Sequence, residues 1–326
     1  MKIGILGAIV HDEIVWIDGT RRESFGGILY NAAALSSVLD EGDWAVPVSR
    51  AGADRYDAVL EQFARFPHVS TEGLTRCDEP MTNVQLTYRT SSHRDEAMRN
   101  RMPPFDWDSL GKALDCGAVH VNFITGAEID LGMLRRFRAA FSGTITFDVH
   151  NKISVFDYAN TGKRNIVGFR EWREWVPSVD IFQCNEFEIN TMFDRGVTTR
   201  ADFAAAAKEV CEAGPRAATI TLGPEGAVMV HREDGQYYTV DIGVLPPVEA
   251  KDTTGCGDSF SAGFLVGMMR HGDPATALAC ASVVAGVNAR YAGLGALSEA
   301  KPLLEDPRGH FEVYRGKPAD WPGDPI

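Results

Sequence analysis

The sequence predicts an α/β fold in which a doubly wound, mainly parallel sheet carries a small β lid. Two observations lead there. Short apolar runs bounded by turn residues recur at Ile3 to Leu6, Ala118 to Phe123, Thr144 to Val149, Ile181 to Cys184, Ala218 to Leu222 and Ala227 to Val230. Helical patterns lie between many of them, such as Met133 to Phe141 and Ala201 to Ala213, the alternation that a sheet with crossover helices requires.

Taken in order, the first residues, MKIGILGAIVHDEIVWI, hold an apolar run too short for a bilayer and without the small-residue cleavage site of a leader, so they read as a first strand. Two segments, about 8–28 and about 80–100, break the β-α rhythm. Both read as antiparallel strands outside the main sheet, placed to form a lid over a pocket. A helix from about Gly257 to Met269 puts Phe260, Phe264, Leu265 and Met268 on one face. The next, about Pro274 to Arg290, is rich in Ala and Val and should be almost wholly buried. Residues 1–300 are expected to form one domain, and 301–326, with prolines at 302, 307, 318, 322 and 325, an irregular tail.

Composition narrows the function. Of 326 residues, 44% are hydrophobic and 24% charged, ordinary for a globular enzyme. The 45 acidic and 32 basic residues give a net charge of -13, which repels phosphate backbones and anionic membranes, and no basic patch overrides it. Neither a nucleic-acid nor a membrane partner is expected. The six cysteines (77, 116, 184, 211, 256, 280) are scattered, with no C-x-x-C pair, and read as the reduced thiols of a cytoplasmic protein.

The segment that carries chemistry is Lys251-Asp252-Thr253-Thr254-Gly255-Cys256-Gly257-Asp258-Ser259-Phe260, a loop running into a helix. Glycines at 255 and 257 permit a tight turn, and a helix start leaves amide N–H groups unpaired, which together make an anion-binding cradle. Asp258 falls in the first turn beside it. A carboxylate there can take a proton from a hydroxyl while the amides neutralise a phosphoryl group; the plainer alternative is an acidic partner of the helix dipole.

The string resembles the second signature of the PfkB (ribokinase-like) carbohydrate kinase family, D-T-x-G-A-G-D, with Cys256 in place of the usual alanine. The resemblance covers roughly residues 1 to 300 and implies a ribokinase-like fold and an ATP- and Mg²⁺-dependent kinase, in which Asp258 is the catalytic base and Gly255, Cys256 and Gly257 line the anion hole. Asp252 and Thr254 match positions that in many members help bind a monovalent cation, so K⁺ is a candidate cofactor. Gly26, Gly27 and Asn31 are similar to the family's G-G-x-x-x-N segment, and Asp12 to an acidic residue that binds acceptor hydroxyls. Asn185 and Glu188 resemble the N-x-x-E motif, whose Glu acts on Mg²⁺ through water, and Thr221, Gly223 and Gly226 the element that packs by the nucleotide. Asn288 falls where the family meets the adenine. One departure stands out: where D-x-N-x-R is common, this chain has Asp148-Val149-His150-Asn151-Lys152. Lys152 would meet phosphate as a point charge without the arginine fork, and His150 is read as a core side chain.

Other readings compete. Gly4-Ile5-Leu6-Gly7-Ala8 hints at a dinucleotide fold but lacks the full G-x-G-x-x-G spacing. A ligand sensor without catalysis is opposed by the intact Asp258 and its glycines. Among kinases, a sugar or sugar-like acceptor is preferred over a nucleoside, with His11, Asp12, Tyr30, Asn31 and the stretch Thr82 to Arg89 as selecting residues. Exposed lid edges point to a homodimer.

Overall fold

The computed structural model describes residues 1–90, 94–246, 250–291, 293–311 and 313–316. The chain opens with β1 (Lys2–Leu6), passes into the pair β2 (Ile9–Val15) and β3 (Arg21–Gly27), and continues with α1 (Leu29–Val38). β4 (Trp44–Gly52), α2 (Tyr56–Phe63) and β5 (Leu74–Cys77) precede a second pair, β6 (Asn83–Tyr88) and β7 (Arg94–Arg99). Then come α3 (Trp107–Gly111), β8 (Ala118–Asn122), α4 (Leu131–Ala140), β9 (Thr144–Asp148) and a hairpin, β10 (Ser154–Phe156) with β11 (Arg164–Ile166). α5 (Trp172–Trp175), β12 (Ile181–Asn185), α6 (Glu186–Met192), α7 (Arg200–Ala213), β13 (Ala217–Thr221), β14 (Ala227–Glu233) and β15 (Gln236–Ile242) follow. The chain closes with α8 (Cys256–His271), α9 (Pro274–Ala289), α10 (Ala300–Leu303) and β16 (Val313–Gly316).

Ten strands form one sheet in the order β5-β4-β1-β8-β9-β12-β13-β14-β15-β16, parallel from β5 to β13 and antiparallel beyond. The doubly wound expectation holds because alternate strand residues feed two cores. Leu6, Val46, Val48, Val119, Val121, Ile145 and Phe147 join the core under α3, α4 and α7, whereas Ile3, Ile5, Ala45 and Ala118 join that under α1, α2, α8 and α9. The order reverses between β1 and β8, so the carboxyl ends of the strands there border a crevice of the kind in which open α/β sheets bind ligands.

The two irregular segments do form a separate four-stranded sheet, β3-β2-β6-β7. Its pairs are antiparallel within each segment but parallel where β2 meets β6, and residues 91–93 of the second segment lie outside the described residues. The expected irregular tail is corrected in part: Val313–Gly316 pairs with β15 and extends the main sheet, and 317–326 lie outside the described residues. Four residues without apolar alternation give no strand signal; pairing with an existing edge makes the strand.

α8 packs on α9 closely because Gly263 and Gly267 face it one turn apart. A Cβ at Gly263 would lie 2.6 Å from the Cys280 carbonyl oxygen, and one at Gly267 2.6 Å from Ala277 Cα. Both helices are mostly buried, and their contact sets where the amino end of α8 stands. Gly263→Ala is therefore expected to destabilise the protein by about 1–3 kcal/mol, as overpacking does, with a lower urea midpoint and an unchanged slope.

Candidate active site

The amino end of α8 is built as the sequence implies. Gly255 is the N-cap in the left-handed region (φ 77°), and a Cβ there would lie 2.9 Å from Tyr30 Cγ, so glycine is demanded both by backbone and by space. Ser259 N–H donates to the Gly255 carbonyl at 2.8 Å, leaving the amides of Gly257 and Asp258 ahead of the first intrahelical bond. The Cys256 amide differs from expectation: it donates to the Thr253 carbonyl at 3.2 Å. Its thiol instead accepts from Asn288 Nδ2 at 3.3 Å.

Three elements converge on Asp258. Asn122, the last residue of β8, donates through Nδ2 to Asp258 Oδ1 at 2.7 Å and to Asn31 Oδ1 at 3.0 Å. Asn31, in α1, donates to the Asp258 carbonyl at 3.3 Å. Burial pushes the Asp258 carboxyl up to about 6, with the two asparagines pulling the other way. Behind Asn122, His150 Nδ1 donates to Asn122 Oδ1 at 3.2 Å. His150 is thus half-buried at the site and outside the core, contrary to its expected place. Burial depresses its pKa to about 4, so the ring is neutral, and its backbone sits at φ 39°, a strained conformation for a residue with a side chain.

A second cluster adjoins the first. Glu188 and Asn185 form a capping box on α6, with Asn185 N–H donating to Glu188 Oε2 and Glu188 N–H to Asn185 Oδ1, each at 2.9 Å. Asp148, at the end of β9, accepts from Gln183 Nε2 at 2.9 Å, and the same nitrogen reaches the Gly257 carbonyl at 3.3 Å. Burial raises Glu188 to about 7 and Asp148 well above its usual range, the latter pushed further by Glu188 and Asp258. The His150 amide lies against both carboxyls.

Other expected residues are distributed unevenly. Asp12 lies over Gly26, in the space a Cβ would take, and Gly27 (φ 66°) turns the chain into α1. Thr221 donates to the Cys184 carbonyl at 3.5 Å, while Gly223 and Gly226, both at positive φ, form the turn from β13 to β14. Asp252 Oδ1 accepts from Thr254 N–H at 2.9 Å. Two further residues take different places. Asn288, only 3% exposed, donates through Nδ2 to the Thr254 carbonyl at 2.8 Å and thereby clamps the loop. Lys152 does not face the cradle: its ammonium lies 4.0 Å from the Trp175 ring centroid and 5.1 Å from that of Phe123, and burial lowers its pKa.

The profile of the pfkB family of carbohydrate kinases matches residues 10–301. The chain belongs to that family. A Pyrococcus horikoshii protein that bears the provisional name of sugar kinase is 24% identical over 254 residues, 75% of this chain and 73% of its own length. A pyrophosphate-dependent kinase in the ribokinase family, solved with sulfate, superposes with a TM-score of 0.74 at 19% identity over 92% of this chain and 99% of its own. Arabidopsis thaliana ribokinase, complexed with ribose and ATP, gives a TM-score of 0.69 at 17% identity over 93% and 98%. This pfkB-family chain is accordingly a phosphotransferase with an alcohol group as acceptor and has the ribokinase-like fold.

Asn122 is the site residue that sequence reasoning missed: an Asn ending an apolar strand carries no motif of its own. Because its donation favours the Asp258 anion, Asn122→Ala should raise the Asp258 pKa above about 6. Only the deprotonated carboxylate accepts a proton, so the acid limb of kcat/KM against pH should be centred near 6 in the wild type and move to higher pH in the variant.

Proposed function

We propose that this pfkB kinase transfers the γ-phosphoryl group of ATP to a hydroxyl of a sugar or sugar-like polyol, with Asp258 as the base. The observation that carries the reading is the Asp258 carboxylate in the first turn of α8, at the positive end of the helix and oriented by Asn122. Proton transfer to Asp258 sharpens the nucleophile as its oxygen bonds to phosphorus. The bond to the leaving diphosphate breaks with its electron pair on the leaving oxygen, while the Gly257 and Asp258 amides face the phosphoryl charge. Asp12, Gly26, Gly27 and Asn31 line the acceptor side, and Asn185, Glu188, Thr221, Gly223 and Gly226 the donor side.

The donor side fits a divalent cation. Glu188 and Asp148 are buried oxygen donors whose anions are destabilised by burial, and each would be relieved by a nearby positive charge. Mg²⁺, when bound with the nucleotide, supplies charge neutralisation at the phosphate oxygens. K⁺ would be held at Asp252 and Thr254, and dependence of turnover on K⁺ tests that placement. The lid also suggests a homodimer: Trp16 stacks on Tyr88 at 4.4 Å yet is 39% exposed, and Ile17 beside it is 63% exposed. Gel filtration at twice 35.6 kDa is expected.

The decisive experiment measures phosphoryl transfer to sugars, sugar acids, polyols and nucleosides, from ATP and from pyrophosphate. Asp258→Asn should lower kcat by a factor on the order of 10³ or more with little change in the acceptor KM, since base and orientation are lost only in the transition state. Near wild-type turnover by this variant would overturn the mechanism. Turnover of nucleosides alone would favour a nucleoside kinase, and no turnover with any pair would favour a catalytically silent sensor.

A further inference from the structure

One side chain of the main sheet reaches both clusters of the site and has no part in the mechanism above. Gln183 lies in β12 between Asp148 of β9 and Thr219 of β13, its partners in register. Residues two apart on a strand share a face, so Gln183 points the way of Ile181, which shares a core with Phe260 and Phe264 of α8, while Phe182 and Cys184 join the opposite core. On that face a polar side chain only 8% exposed stands where an aliphatic one would fill the space without the cost of desolvation.

Both polar atoms of Gln183 are bonded. Nε2 donates to Asp148 Oδ2 at 2.9 Å and to the Gly257 carbonyl at 3.3 Å, and Oε1 accepts from Ser261 Oγ at 3.0 Å. The carboxamide is satisfied only this way round: a carboxylate and a carbonyl, both acceptors, face its NH₂ group, and the hydroxyl with a proton to give faces its oxygen. The Ser261 hydroxyl also lies 3.1 Å from the Gly257 carbonyl, the usual back-bond of a helical serine, so its single proton is shared between the two. The contact of Gln183 with Gly257 is of another kind, joining the sheet to the first turn of a helix 74 residues away.

What is held is the peptide that carries Asp258. In a trans peptide the C=O of Gly257 and the N–H of Asp258 point opposite ways in one plane, so a donor fixed on the carbonyl fixes the amide. That amide lies against the Asp258 carboxyl itself, which also accepts from Asn122. We propose that Gln183 is a positioning residue for phosphoryl transfer: its carboxamide ties Asp148, on the donor side, to the Gly257–Asp258 peptide and so sets where the base stands between donor and acceptor. Donation to the carbonyl also polarises the peptide and strengthens its N–H as a donor. A tilt of this peptide would move carboxylate and amide together, and a misplacement of about 1 Å can cost on the order of 10²-fold in rate.

The inference rests on the kinase reading, and the test separates the two. Wild-type turnover of an acceptor with ATP or pyrophosphate establishes the kinase; its absence with every pair would remove that reading and this inference with it. Given turnover, Gln183→Met, which keeps the length of the side chain and removes its NH₂ group, should lower kcat by about 10–10²-fold with the KM of donor and acceptor changed less than about threefold. Affinity for a transition-state mimic made of the donor's product, aluminium fluoride and the acceptor should fall by a similar factor, while affinity for that product alone stays within about threefold. Gln183→Glu, of the same shape and also without the NH₂ group, carries the same measurements if Gln183→Met does not fold. A kcat within about threefold of wild type, a loss confined to KM, or an equal loss of affinity for mimic and product would each overturn the inference while leaving the kinase in place.

Discussion

A carboxylate that must stay ionisable inside the protein constrains much of this structure. Asp258 is held in a crevice where burial alone would keep it protonated, and two amide side chains from β8 and α1 bring its pKa back toward neutrality. Each partner comes from a different layer: Asn122 from the sheet, Asn31 from a helix on one face, Asp258 from the helix beside it. The triangle closes only if α8 stands at the right height. Gly263 and Gly267 set that height against α9, and Gly255 lets the incoming loop pass under the Tyr30 ring. Packing between α8 and α9 is thereby coupled to the position of the Asp258 carboxylate.

The same crevice gathers more negative charge than it can neutralise by itself. Asp148, Glu188 and Asp258 raise one another's pKa values or are raised by burial, with the His150 amide shared between the first two. Such an arrangement costs stability in the empty protein, and it is tolerated at sites that bind cations or charged substrates. The strained backbone of His150 belongs to the same account: its φ of 39° aims the amide at the carboxyls and the ring at Asn122 at once. Asn, which common family members carry there, would adopt that conformation with less strain.

What could be read from the sequence follows the same division. The cradle lies within one continuous string, so its glycines and Asp258 announce themselves, and the strand-helix rhythm announces the sheet. Asn122 could not be seen because its role exists only when β8 lies beside α1 and α8, contacts separated by 91 and 136 residues. The direction of Lys152 could not be read because spacing records a residue's position and not its direction; after the His150 turn its ammonium lies over the rings of Trp175, Phe123 and Phe169, where burial lowers its pKa. The clamp from Asn288 to the Thr254 carbonyl could not be read either, because it joins a buried helix to a loop 34 residues earlier. The hairpin from Ser154 to Ile166 is too short to show a period, and β16 needs the edge of β15 to exist.

The architecture also explains why the reaction is easier to read than the acceptor. Asp258, the asparagines bonded to it and the amino end of α8 belong to the main sheet and to helices locked against it, where a change of one methylene is felt. The lid is a separate four-stranded sheet, and Asp12, Ile14, Val84, Leu86, Glu96 and Met98 share one of its faces, with Val84 and Met98 buried in the core. A lid face of this kind is set by a two-residue alternation across three strands, a pattern with no fixed motif, whereas the glycine cradle and Asp258 lie in one contiguous string.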